Sequence, residues 1–119
     1  MKAITFLILI GISSFSFEKD CSDAYSAADD TYSYAKKAFN ADSWENSKTY
    51  LKKAMSSADD AMSYSSDCEC DDAYYAADDS YSYAKKGYNT NSWDDTKSFA
   101  KKAMSSADDA MSYANDCNN

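Results

Sequence analysis

KKAMSSADDAMSY fills Lys52–Tyr64 and returns unchanged at Lys101–Tyr113. Working outward from the two copies, an offset of 49 residues aligns Cys21–Cys68 with Cys70–Cys117. Of those 48 positions 33 are identical, including both cysteines and the pair Trp44/Trp93. Self-similarity on this scale marks a supersecondary unit used twice. The chain therefore divides into a repeat over 21–68 and a second over 70–117, with only Glu69 between them.

Inside the quoted stretch small residues recur three and four apart. Trp44, Ser47, Leu51, Ala54, Ala58, Ala61, Ser65 and Cys68 form one stripe on one face of an α-helix. Cys21, Tyr25, Ala28, Tyr32, Ala35 and Phe39 follow the same spacing and predict a helix before it. The chain has no proline, glycine stands only at Gly11 and Gly87, and alanine, lysine and methionine dominate, so strands are disfavoured. Between the stripes, Asn40 suits the residue just past a helix, and Asp42 with Glu45 has capping-box spacing; Asn89, and Ser92 with Asp95, repeat the arrangement. Each unit thus reads as an antiparallel helical hairpin. An isolated alanine-lined hairpin buries little, so the expected fold is all-α, two tandem hairpins packed as an up-down-up-down four-helix bundle. Paired helices in tandem resemble solenoid scaffolds in architecture alone.

A shorter pattern, A-[YM]-x-x-A-D-D-x-[YM]-S-Y, starts at Ala24, Ala54, Ala73 and Ala103, once per predicted helix. Folding the first unit so that Cys21 meets Cys68 sets Ala28 against Ala61 and Ala35 against Ala54, and small residues face small residues. Close helix approach follows. The same register in the second unit brings Cys70 to Cys117. The predicted disulfides are therefore Cys21–Cys68 and Cys70–Cys117, although a bundle gathers all four cysteines at one end and leaves Cys21–Cys117 or a crossed pairing open. Bridging loops of this length removes roughly 3–4 kcal/mol of unfolded-chain freedom per bond on the entropic view.

Residues 1–16 read as a secretory signal: basic Lys2, an apolar run over 3–12, and small residues before a cut at Phe17. That run is half of what a membrane-spanning helix needs. A short segment, 17–20, then leads into the first repeat, and the mature chain is expected to be secreted or periplasmic, with no membrane span. Without Lys2, eleven lysines face twenty acidic side chains, a net charge of −9, and arginine and histidine are absent. This composition argues against nucleic acid, which needs clustered cations. Lack of histidine removes the usual general base and every Ser-His or Cys-His dyad, so no enzyme and no catalytic residue is expected.

Three features could carry function. The ADD pairs, Asp29, Asp30, Asp59, Asp60, Asp78, Asp79, Asp108 and Asp109, fall in one belt of a bundle. Neighbouring aspartates on a rigid helix diverge, with one flanking the interface and the other facing water, whereas calcium needs converging oxygens. A solvated belt is the expected reading, no cofactor is called for, and low-affinity calcium binding is the alternative. Lysine pairs seven residues from the aspartates make alternating acidic and basic bands, read as solubilising. Tyr34, Tyr64, Tyr83 and Tyr113 close the four short patterns and are candidate contacts for an unknown protein or envelope component, or else the interface between hairpins. In a reducing compartment the four cysteines would suit a zinc site; the signal sequence favours disulfides. The resulting expectation is an exported, non-enzymatic binding or structural module.

Overall fold

Alanine at every third or fourth position, without proline to interrupt it, produces four long helices. The structure, a computed structural model, describes residues 20–118. They form α1 (Ser22–Phe39), α2 (Trp44–Asp67), α3 (Asp71–Asn89) and α4 (Trp93–Cys117). Each helix packs on two neighbours, α1 on α2 and α4, and α3 on α2 and α4, while the diagonal pairs touch lightly. This is the expected up-down-up-down bundle. Residues 1–16, read as a signal sequence, and most of the segment 17–20 lie outside the described residues. Among the described residues no helix is long and apolar enough to cross a membrane.

The core is built almost wholly from small residues. In α2 they are the expected stripe, Ser47, Leu51, Ala54, Ala58, Ala61 and Ser65. In α1 the buried face is Ala24, Ala27, Ala28, Thr31, Ala35 and Ala38, so three expected seam positions are displaced by one residue: Tyr25 and Phe39 are exposed and Tyr32 is half-buried, because alanine and threonine fit the close helix contact and the rings do not. Of the 21 buried apolar residues among those described, 17 are alanine, the others being Leu51, Cys21, Cys68 and Cys70. Side chains this small let helices approach closely but bury little surface each. Three layers result. Cysteines with Ala24, Ala73 and Ala114 close one end. Ala27, Ala28, Ala61, Ala76, Ala77 and Ala110 fill the middle, flanked by Met62 and Met111. Toward the loops, Leu51 sits among Ala35, Ala38, Ala54, Ala84, Ala100 and Ala103, with Tyr34, Tyr50, Met55, Tyr83, Tyr88 and Met104 around them.

Both disulfides form within their repeats, Cys21–Cys68 and Cys70–Cys117, with Cα–Cα distances of 5.4 and 6.1 Å. The opposite end is held by buried hydroxyls. Ser47 Oγ donates to Ala38 O at 2.7 Å, and its counterpart Thr96 Oγ1 donates to Gly87 O at 2.9 Å. Each bond ties the start of one helix to the last turn of its partner, satisfying a carbonyl that the helix end leaves open. Helix starts differ from expectation in one respect. Ser43, not Asp42, caps α2 by accepting from Asn46 N–H, so in this loop the cap and its partner each lie one residue later than Asp42 and Glu45. Ser92 caps α4 with Asp95 N–H as expected.

The one-residue link between hairpins needs a left-handed backbone, and Glu69 takes it with φ 58°. Cys70 N–H bonds to Ser65 O at 2.9 Å and Glu69 N–H to Ser66 O at 3.1 Å. This paired closure, a Schellman motif, ends α2 and turns the chain straight into α3.

Leu51 breaks the alanine rule, and Gly87 answers it. A Cβ at Gly87 would lie 2.8 Å from Leu51 Cδ1 and 3.1 Å from Phe99 Cβ. In the repeat relation the equivalents of Leu51 and Gly87 are Ala100 and Ala38, so one interhelical contact trades two alanines for a leucine and a glycine. The pair should be energetically coupled. Leu51→Ala should cost about 2–4 kcal/mol through its cavity, and Gly87→Ala should destabilise through overpacking despite better helix propensity. The double variant should be more stable than the sum of the two changes by about 1 kcal/mol or more, measured by urea unfolding of all four proteins. Simple additivity would contradict the pairing.

Candidate functional site

Lysine placement divides the bundle into two electrical halves. All ten lysines of the described residues fall within 36–53 and 85–102, the two windows that contain the loops and flanking helix ends. Those windows hold four acidic residues, Asp42, Glu45, Asp94 and Asp95. The rest of the described chain, the half ending in the disulfides, holds fifteen carboxylates and no cation. The expected bands are therefore two blocks, because antiparallel pairing sets aspartates level with aspartates and lysines level with lysines on all four helices. The division was readable from lysine positions once the hairpins were drawn.

Most lysines of the loop half are packed over rings. Lys37 Nζ lies 5.7 and 5.9 Å from the centroids of Tyr34 and Tyr50, and Lys53 Nζ 5.9 and 5.8 Å from the same two. In the second repeat Lys86 lies 5.7 Å from Tyr83, and Lys102 lies 5.8 Å from Tyr83 and 5.5 Å from Phe99. The second lysine of every KK pair thus covers an aromatic three residues before it. Lys48 and Lys97 cover Trp44 and Trp93 at 5.2 and 4.9 Å from four residues on. These spacings put both members on one helix face, and each contact contributes about 0.5–1 kcal/mol at exposed sites. Reading the lysines as a free solubilising band overlooked these aromatic partners.

Lys48 also reaches Tyr88 of α3 at 5.5 Å, across an open groove of about 540 Å³ lined by Trp44, Glu45, Lys48, Thr49, Lys52 and Tyr88. Its own ammonium covers both rings of the groove. Beneath it, Trp44 Nε1 donates to Thr96 Oγ1 at 3.0 Å, joining the two hairpins. Its counterpart Trp93 Nε1 is buried with no hydrogen-bond partner among the described residues.

The disulfide half presents tyrosine rather than lysine. Tyr25, Tyr64, Tyr74, Tyr75 and Tyr113 are all exposed there, Tyr75 most at 64%. Tyr74 and Tyr75 meet edge to face with centroids 5.6 Å apart, and line a groove of about 460 Å³ with Ser66, Glu69 and Asp71. Asp20 accepts from the Ser22 hydroxyl at 2.6 Å and from its backbone N–H at 2.9 Å, and these bonds hold its carboxyl below the usual carboxylate value. Cys21 N–H donates to Asn118 Oδ1 at 2.6 Å, tying the start of α1 to the end of α4.

The sequence-predicted residues distribute as follows. Tyr64 and Tyr113 join the exposed group, whereas Tyr34 and Tyr83 lie half-buried against the core, beneath lysines, one helical half away. Those four tyrosines therefore do not make one surface. All eight ADD aspartates are exposed, so neither member of a pair is drawn into the interface. Among the described residues the one set of three or more metal-ligand side chains within mutual reach is cysteine: Cys21, Cys70 and Cys117 Sγ lie within 4.8 Å of one another. Compared with protein families, curated proteins and solved structures, the chain matches none.

The unequal tryptophans yield a test. Trp44→Phe removes a hydrogen bond between hairpins, while Trp93→Phe removes a buried donor that has no partner. Trp44→Phe should be the more destabilising by about 1 kcal/mol in urea unfolding; equal losses would contradict the assignment.

Proposed function

We propose that the chain is an exported, non-enzymatic helical module that binds a cationic macromolecular partner through its disulfide end, in the periplasm, the envelope or the extracellular space. The observation that carries this reading is the group of five exposed tyrosines on a half that, among the described residues, holds fifteen carboxylates and no lysine. Tyrosine adds contact area at low entropic cost. Uniform negative charge steers an oppositely charged partner and rejects a like-charged one. A hairpin locked by a disulfide presents these side chains without an ordering cost at binding. Two disulfides in so small a domain suit an oxidising compartment, as does the signal sequence read at residues 1–16. An exposed tyrosine and carboxylate surface, with no histidine in the chain, supports a binding role rather than a catalytic one.

The test is capture from extracellular and envelope fractions on immobilised protein, compared with the Tyr64→Ser/Tyr75→Ser/Tyr113→Ser variant. These residues are exposed, so the variant keeps its fold. Retention of basic partners should fall roughly tenfold or more and should weaken as salt is raised. Unchanged capture of every partner by the variant would refute the assignment.

A further inference from the structure

We propose that the two disulfides are the oxidised form of a four-thiolate metal site, which the reduced protein closes around one zinc ion. This inference stands apart from the binding role and rests on the placement of the cysteines. Antiparallel pairing brings all four to one end of the bundle. Cys21, Cys70 and Cys117 Sγ lie within 4.8 Å of one another, and Cys68 Sγ is bonded to Cys21 Sγ. A tetrahedral zinc with Zn–S of about 2.3 Å holds its sulfurs roughly 3.8 Å apart. Cys68 Sγ lies outside the set of three, and breaking its bond to Cys21 frees it to turn toward them as the fourth ligand.

Local structure supports the ligand set. Cys21 and Cys70 are the N-cap residues of α1 and α3, and neither uses its side chain as a cap. The positive ends of two helices thus favour thiolate at Cys21 and Cys70, while Cys68 and Cys117 stand at the negative ends of α2 and α4 and depend on the metal for their charge. Cys21, Cys68 and Cys70 are buried and Cys117 is exposed, so three of the ligands are sheltered and the fourth faces solvent. Seven carboxylates, at positions 20, 23, 67, 69, 71, 72 and 116, surround this end. Their field attracts a divalent cation and opposes uncompensated thiolates, so the thiols lose their protons as the metal binds.

The switch is redox-gated. Each disulfide takes two electrons and two protons from a dithiol reductant, which itself becomes a disulfide; zinc then displaces thiol protons to solvent. With both disulfides intact there is no thiolate and no site.

Cobalt(II) titration of the fully reduced, metal-stripped protein under anaerobic conditions tests the proposal, with helicity followed by circular dichroism. One equivalent should produce thiolate-to-cobalt charge-transfer absorption and the visible bands of a tetrahedral site. Zinc should displace it, restore helicity lost on reduction, and protect all four thiols from alkylation together. Reduced Cys117→Ser should lose the four-sulfur spectrum and bind at least tenfold more weakly. The oxidised protein should show no spectrum. Binding of more than one cobalt per chain, a spectrum unaltered by Cys117→Ser, or metal binding without recovery of helicity would overturn the proposal.

Discussion

An alanine seam can bring four helices close together but gives each little apolar surface to bury, and everything else in this bundle follows from that constraint. With 17 alanines among the 21 buried apolar residues of the described chain, hydrophobic burial per residue is small against the cost of ordering the backbone. The two ends compensate differently. At one, disulfides close each hairpin covalently. At the other, Ser47 and Thr96 bond across to the carbonyls of Ala38 and Gly87, and Trp44 links the hairpins through Thr96. Bulk enters the core at Leu51, where Gly87 makes room.

The covalent end is also the end that most needs one. Among the described residues of this end, fifteen carboxylates without a cation repel one another across four close helices. Among the described residues the lysines are confined to the other half, where aromatic rings three or four residues away hold six of the ten against the bundle. Antiparallel duplication enforces this division, since a charge placed on one helix recurs at the same height on the other three. A rod with one acidic, tyrosine-rich half and one cationic, ring-covered half is thereby produced from a single short pattern. The disulfides hold the acidic half together while its tyrosines remain exposed.

Much of this was legible in the residues. The period of 49 exposes the duplication, the three-and-four spacing exposes the helices, and matching small residue to small residue sets a register that pairs Cys21 with Cys68 and Cys70 with Cys117. Other points were not read. Asp42 and Ser43 are both good caps, and only backbone geometry selects Ser43. The four pattern-closing tyrosines share a wheel position but not a height, so Tyr34 and Tyr83 join the layer around Leu51 while Tyr64 and Tyr113 stay outside. That a bundle gathers all four cysteines at one end was legible, but how closely the two disulfides approach depends on how the hairpins dock, which no single hairpin encodes.

The most direct measurement is urea unfolding of the oxidised protein against the Cys21→Ala/Cys68→Ala variant, which keeps Cys70–Cys117. If cross-linking makes up for the thin alanine core, removing one bridge of sequence separation 47 should lower stability by about 4 kcal/mol. A loss below about 1 kcal/mol would show that the seam holds the hairpins without the covalent bond, and would contradict the account.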